Sequence, residues 1–314
     1  MLLHHYALSP FSEKIRLMLG YQQQSWSSFV VAPLPPRPVT DALTGGYRRI
    51  PILQQGADVL CDSKLIAHDL SRRLQAPELD YWQLNQEQQQ LADYLDSEFL
   101  FVALNSCPPL KLLGLLKQSL SVWGLARFMW DRLGIAKEAK EGGSKGGYRR
   151  YRQQLQSLEQ QLQQPFLYGD SPNYVDFCLY PSLWFVMAKA EQPLPESLPK
   201  LTAWFKRMQA FGHGNIQELS RGEVARLAQE HTPKTLVQTD NHPMLDKPVS
   251  VGPLDYARDQ TQGTLVAVTA HRWVIKQKTE RFGDVHIHFP NTGYALRDAD
   301  GQVIPDTDAL EVSQ

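Results

Sequence analysis

The spacing of apolar positions changes twice along the chain. Residues 1–76 mix strand-like and helix-like stretches: residues 2–6 are a short candidate strand, while Ile15, Leu17, Met18 and Leu19 give residues 12–20 a helical face. A second strand is expected at 27–32, before a run (Pro33, Leu34, Pro35, Pro36, Arg37, Pro38) that cannot be regular helix. Residues 51–54 and 59–61 read as strands turning at Gly56, and Asp62 or Ser63 then caps a helix reaching about Leu74. The order strand, helix, strand, long connection, strand, strand, helix is an α/β pattern too short for a doubly wound sheet.

Residues 83–212 carry the helical period alone, over 86–104, 110–133, 148–162, 174–190 and 198–210. Gly142, Gly143, Gly146 and Gly147 interrupt it and predict a loop with solvated lysines. Asn173 stands three residues before Asp176, the spacing of a capping box at a helix start. The last part changes again. One amphipathic helix is expected at 219–229, then a polar, proline-spaced stretch over 231–253. Strand periodicity follows at 264–269, 273–279, 285–289 and 294–297, with turns at Gly283-Asp284 and Asn291-Thr292-Gly293. The pattern divides the chain into an α/β domain (1–76), an all-helical domain (83–212), and a helix with a separate, small, mostly β module (216–314).

Composition changes this picture little. The chain has 314 residues, 42% hydrophobic and 21% charged, with a formal net charge of -1, so nothing in the balance calls for a nucleic-acid or membrane-surface partner. Cys61, Cys107 and Cys178 are too few and too scattered for a disulfide framework or a zinc site. No secretory signal or membrane span is expected, which makes the cytoplasm the default location.

Candidate chemistry gathers in the first segment. Ser9, Pro10, Phe11 and Ser12 lie where the first strand passes into the first helix, and free backbone N–H groups with the positive end of the helix dipole favour an anion there. A serine hydroxyl donating to a thiolate would add to that effect; the same serine could simply cap the helix. Ile50-Pro51 precedes a strand, where the bond can be cis and the backbone edge can pair with an extended peptide. Asp62-Ser63 opens a helix whose N–H groups suit a carboxylate, while Asp62 supplies a charge for an amino group. A thiolate site, a peptide edge and an amino-acid head site are the three parts of glutathione.

The stretches SPFSEKIR, RRIPIL and CDSKLI, with SPNYVDF further on, resemble the cytosolic glutathione transferase superfamily over residues 1–212. The resemblance implies a thioredoxin-like, glutathione-binding domain followed by an all-helical one. It implies Ser9 as the thiol-activating residue, Ile50 as the backbone partner of the cysteinyl part with Pro51 its cis-proline, and Asp62 and Ser63 as the pair holding the γ-glutamyl group. Asp62 departs from the more usual glutamate, which puts the grip of a shorter arm in question. Arg48 and Arg49 occupy the place of a group near the glycyl carboxylate, or are surface charges. The implied co-substrates are glutathione and a small hydrophobic electrophile, for conjugation or isomerisation, and the implied assembly is a homodimer. A non-catalytic glutathione-binding or interaction scaffold on the same fold is the alternative.

Other residues carry a plainer reading. Tyr6 is a second choice for the thiol-activating group. Trp123, Phe128, Met129 and Trp130 line a co-substrate pocket or pack in a core. His286 and His288 share a strand face and are expected half-exposed; with His271 and no carboxylate nearby they do not make a metal site. The β module is expected to shield the co-substrate side without touching glutathione, so that truncation after about Gly214 would leave glutathione binding intact.

Overall fold

A computed structural model describes residues 1–120, 122–139, 147–234 and 242–304. The chain begins with β1 (Leu2–His5), α1 (Pro10–Tyr21), β2 (Ser25–Val30), α2 (Pro38–Leu43), β3 (Ile52–Gln55), β4 (Asp58–Cys61) and α3 (Ser63–Leu74). The helix α2 was not in the sequence pattern. Pro38 stands in its first turn, where a missing N–H costs nothing, so the proline run leads into a helix.

Helices follow: α4 (Gln86–Tyr94), α5 (Leu100–Ser106), α6 (Pro109–Ser119), α7 (Val122–Ala139), α8 (Gly147–Gln161), α9 (Tyr174–Trp184) and α10 (Pro199–Gln209). The expected helix over 86–104 is interrupted by a π-helical turn at Leu95–Phe99, and the one over 110–133 divides near Leu120. Gly142, Gly143 and Gly146 lie outside the described residues. The last part holds β5 (Asn215–Glu218), α11 (Arg221–Gln229), β6 (Pro248–Pro253), β7 (Thr261–Thr269), β8 (Arg272–Thr279), β9 (Gly283–Pro290), β10 (Tyr294–Arg297) and β11 (Val303–Ile304). Strand β6 falls in the stretch read as polar connection, with prolines at both of its ends.

The chain divides into two compact units. One comprises Met1–Ala7, Trp26–Ile66 and Ile216–Gln314; the other comprises Leu8–Ser25 and Ala67–Asn215. In the first, all strands belong to a single sheet of eleven, in the order β11-β10-β6-β7-β8-β9-β4-β3-β1-β2-β5. The C-terminal strands therefore do not form a sheet of their own. They continue the N-terminal sheet through a parallel pairing of β4 with β9, in the register Asp58 to His286 and Leu60 to His288. One core joins the N-terminal and C-terminal strands: Leu2, Val39, Leu43 and Val59 share it with Val251, Leu265, Ile275, Ile287 and Leu296, and Val224, Ala225 and Ala228 of α11 complete it. That arrangement covers the apolar face of a β-rich segment that a handful of strands alone would leave wet.

In the second unit α1 packs on α9, and α5 on α8. The expected capping box opens α9: Asn173 Oδ1 accepts from Val175 N at 2.9 Å, and Asp176 Oδ2 accepts from Asn173 N at 3.0 Å. Asp176 Oδ1 also takes hydrogen bonds from Leu167 N and Trp204 Nε1, so this carboxylate ties three segments of the helical unit. Burial pushes its carboxyl up to about 6 in spite of these donors. No single helix among the described residues is long and apolar enough to cross a membrane.

Candidate functional site

Ser9 belongs to the second unit. It precedes α1 in extended conformation, is buried, and its Oγ accepts the N–H of Ser12 at 3.1 Å. Capping uses a lone pair of the hydroxyl oxygen and leaves its hydrogen available, so a cap and an outward donor are compatible on one serine. The charged residues that follow in the SPFSEKIR stretch are internal. Lys14 is fully buried, pairs with Asp96 and donates to Tyr174 Oη at 3.2 Å. Glu13 accepts from Arg16 and lies 3.0 Å from His213 Nε2. Burial alone would raise the Glu13 carboxyl, but the His213 contact and the Arg16 guanidinium hold it below its ordinary value. The Lys14 and His213 contacts fix α1, whose N-cap is Ser9, against its unit.

The other candidates lie in the first unit. The Ile50–Pro51 bond is cis. Asp62 adopts φ 76, a left-handed conformation that aspartate tolerates better than most residues. Its Oδ1 accepts from Lys64 N at 2.8 Å, which caps the helix that Ser63 begins. Its Oδ2 accepts from the hydroxyl of Tyr294 at 3.0 Å, and the Tyr47 and Tyr294 hydroxyls stand 2.6 Å apart. A carboxylate has no hydrogen to give, so the order is fixed: Tyr47 donates to Tyr294, and Tyr294 to Asp62. Burial, with the Asp62 charge beside it, raises the Tyr294 phenol well above its usual value, so it stays protonated and a donor.

Arg48 and Arg49 are not free surface charges. Arg48 Nη1 lies 3.3 Å from Asp259 Oδ2, and Arg49 pairs with Asp255, donates to the carbonyl of Tyr256 and stacks over the Tyr256 ring at 3.9 Å. Arg37, unremarked in the sequence, is buried; it pairs with Asp41 and donates to the carbonyl of Arg48 at 2.8 Å, fixing the segment that leads to Pro51. Tyr6 is only partly buried and packs on the core of this unit.

His4 and His5 are both buried: His4 bridges Thr40 Oγ1 and Gln54 Oε1, and His5 meets Ser28 Oγ. Desolvation lowers the His4 imidazole to about 4, so it is neutral at physiological pH. His286 is partly exposed, as expected, but the expectation is wrong for the exposure of His288 and for the missing carboxylate. His288 is 4% exposed and its Nε2 lies 3.0 Å from Asp58 Oδ1, so the carboxylate the sequence could not place stands on the neighbouring strand. His286 Nδ1 is 3.7 Å from the same oxygen. Burial would raise the Asp58 carboxyl, but the His288 hydrogen bond, the Lys234 N–H and both imidazoles hold it below its usual range. Among the described residues no group of three or more histidines, cysteines or acids is arranged to hold a metal ion. Trp123 and Trp130, read as pocket or core residues, are 86% and 80% exposed, and Met129 is exposed with them.

A sheet of thioredoxin-like order, a cis-proline before β3, an acidic residue and serine opening α3, and a helical domain with the Asn173–Asp176 cap define a protein of the glutathione transferase class. The comparisons agree. Residues 3–78 match the family model "Glutathione S-transferase, N-terminal domain" and residues 125–210 match "Glutathione S-transferase, C-terminal domain". The chain belongs to the glutathione S-transferase superfamily. Among solved structures it is similar to a GST-like protein from Pseudomonas syringae, with 27% identity over 95% of this chain and 99% of that one and a TM-score of 0.74. A glutathione S-transferase from Rhodospirillum rubrum F11 matches at 17% identity over 74% of this chain and 93% of its own, with a TM-score of 0.46. No curated protein matches the chain.

Proposed function

We propose that this chain is a glutathione transferase in which Ser9 donates a hydrogen bond to the glutathione sulfur and favours its thiolate. The observation that carries the reading is the state of Ser9: buried at the N-cap of α1, its oxygen engaged by Ser12 N and its hydrogen left to give. A free thiol titrates near ~8.5, so one or two units of depression supply most of the nucleophile needed at neutral pH. The thiolate then attacks an electrophilic carbon of a small hydrophobic co-substrate. A carbon–sulfur bond forms, the leaving group departs with its electron pair, and the thiol proton passes to solvent. The same thiolate could add reversibly and isomerise a substrate. In this reading Ile50, next to Pro51, pairs its backbone with the cysteinyl part, Asp62 and Ser63 hold the γ-glutamyl head, and Arg48 faces the glycyl carboxylate once Asp259 releases it. The 1–76, 83–212 and 216–314 segments are proposed as functional divisions, and the working assembly as a cytoplasmic C2 homodimer.

A second reading, an interaction scaffold on the same fold, is favoured by the exposed aromatic face of α7, where Trp123 and Trp130 stand two helical turns apart. Retention on immobilised glutathione, followed by turnover with an aryl halide, separates the two. Retention with turnover that Ser9→Ala lowers by about a hundredfold or more supports the enzyme. Retention without turnover supports the scaffold.

A further inference from the structure

Asp62 is one methylene shorter than the glutamate expected at its position, yet its carboxylate is held from two sides. The Lys64 N–H fixes one oxygen at 2.8 Å, and the Tyr294 hydroxyl fixes the other at 3.0 Å. Tyr294 comes from β10, 232 residues further along the chain. Its ring is buried against Tyr47 and Phe289, and its hydroxyl is itself a hydrogen-bond acceptor for Tyr47 at 2.6 Å. Each carboxylate oxygen keeps a second lone pair, so a cationic amino group can still be received. Two donors in series polarise one another, which strengthens the terminal bond and restricts the carboxylate to one orientation.

From these contacts we propose that Tyr294 is a positioning residue for the glutathione head group: the C-terminal strands supply the hydroxyl that orients Asp62 toward the γ-glutamyl amino group. The inference rests on the proposed role of Asp62. It also gives the C-terminal segment a part in ligand recognition, in place of the shielding role expected from the sequence. Tyr47 and Tyr294 form a relay that reaches Asp62 through the shared core, without themselves touching the ligand.

The test is calorimetric binding of glutathione, and of the analogue lacking the γ-glutamyl amino group, to the full-length protein and three variants. Tyr294→Phe removes one oxygen and keeps the ring. It should weaken glutathione binding about five- to tenfold, as loss of one net hydrogen bond does, and narrow the gap between glutathione and the des-amino analogue. Tyr47→Phe, which leaves the terminal bond in place, should weaken binding about two- to threefold in the same direction. A general packing defect would weaken both ligands equally and leave the gap unchanged, which overturns the proposal. So does a Tyr294→Phe protein that binds glutathione as the wild type does while Asp62→Asn loses affinity and discrimination; that result spares the head-group role of Asp62. If Asp62→Asn itself discriminates like the wild type, the head-group reading falls and Tyr294 falls with it. Should Tyr294→Phe fail to fold, the gap measured on Tyr47→Phe decides, and an unchanged gap there overturns the proposal.

Discussion

Two kinds of contact join the residues around the N-terminal cis-proline to the C-terminal strands, and they lie in opposite environments. Tyr294 reaches Asp62 from within the core, through a chain of hydroxyls shielded from solvent. Asp255 and Asp259 meet Arg49 and Arg48 at the surface, with carboxylates that are 59% and 57% exposed. Water competes for the second pair of contacts and salt screens them, so they hold the loop only loosely. Water has far less access to the first, and breaking it strands the buried Tyr294 hydroxyl. The difference explains how one segment can be integral to the fold and still carry exchangeable ion pairs at its surface. Side chains in the core set geometry, and those at the rim can exchange partners.

The largest expected effect comes from removing the C-terminal segment altogether. Val251, Leu265, Ile275, Ile287, Phe289 and Leu296 share the core of the N-terminal strands, and burying such a side chain stabilises by about 1.5–3 kcal/mol. Their combined loss, about 9–18 kcal/mol, is as large as the ~5–15 kcal/mol that holds a typical domain together, and it exposes the β4 edge. Truncation after Gly214 should therefore give a protein that aggregates and is not retained by glutathione resin. A soluble, cooperatively unfolding fragment that binds glutathione would contradict the shared core.

A smaller effect sharpens the buried side of the comparison through pH. His4 has an ordinary value of 6.5 and is held near about 4 by desolvation in the folded protein. Its contribution to stability is fully present above 6.5 and is lost as pH falls from 6.5 toward about 4, because only the unfolded chain takes up the proton in that window. The separation corresponds to about 3 kcal/mol, to be read as the steepness of urea-unfolding stability against pH. His4→Gln should flatten that slope; an unchanged slope would show that the imidazole is protonated in the fold.

The smallest effect belongs to the surface. Asp259→Ala should change stability by less than about 1 kcal/mol, in keeping with an exposed pair. In the proposed reading of Arg48 it should tighten glutathione binding modestly at low salt by removing one competing carboxylate, and the gain should fade as salt is added. Loss of binding would mean that Asp259 orients Arg48 instead of competing for it.

Much of this molecule could be read before its structure. The strand-to-helix junction at Ser9, the Ile50-Pro51 step and the Asp62-Ser63 helix start are local features, each written within a few residues. The Asn173–Asp176 cap is local in the same sense. What escaped is non-local. Asp58 meets His288 because β4 lies beside β9, and Tyr294 meets Asp62 because β10 begins near the start of α3; nothing near either residue announces a partner more than two hundred positions away. Alternation correctly marked Val285, Ile287 and Phe289 as buried and His286 as partly exposed, and it missed the burial of His288. Alternation implies exposure for a sheet with one wet face, and at His288 the polar face is covered as well. Helix α2 and strand β6 were hidden by prolines that flank or open them. The exposure of Trp123 and Trp130 could not be seen at all, since an aromatic on a helix reads alike whether it faces a core or solvent.

The proposed role of Ser9 is read most directly in the state of the bound thiol. Ultraviolet titration of the thiolate of glutathione bound to the wild-type protein and to Ser9→Ala measures it without a co-substrate. The predicted result is a bound thiol one to two units below its free value of ~8.5 in the wild type, rising by at least about one unit in the variant while glutathione affinity changes only a few-fold. Equal titration curves for the two proteins would contradict a donor role for Ser9 and leave it a helix cap alone.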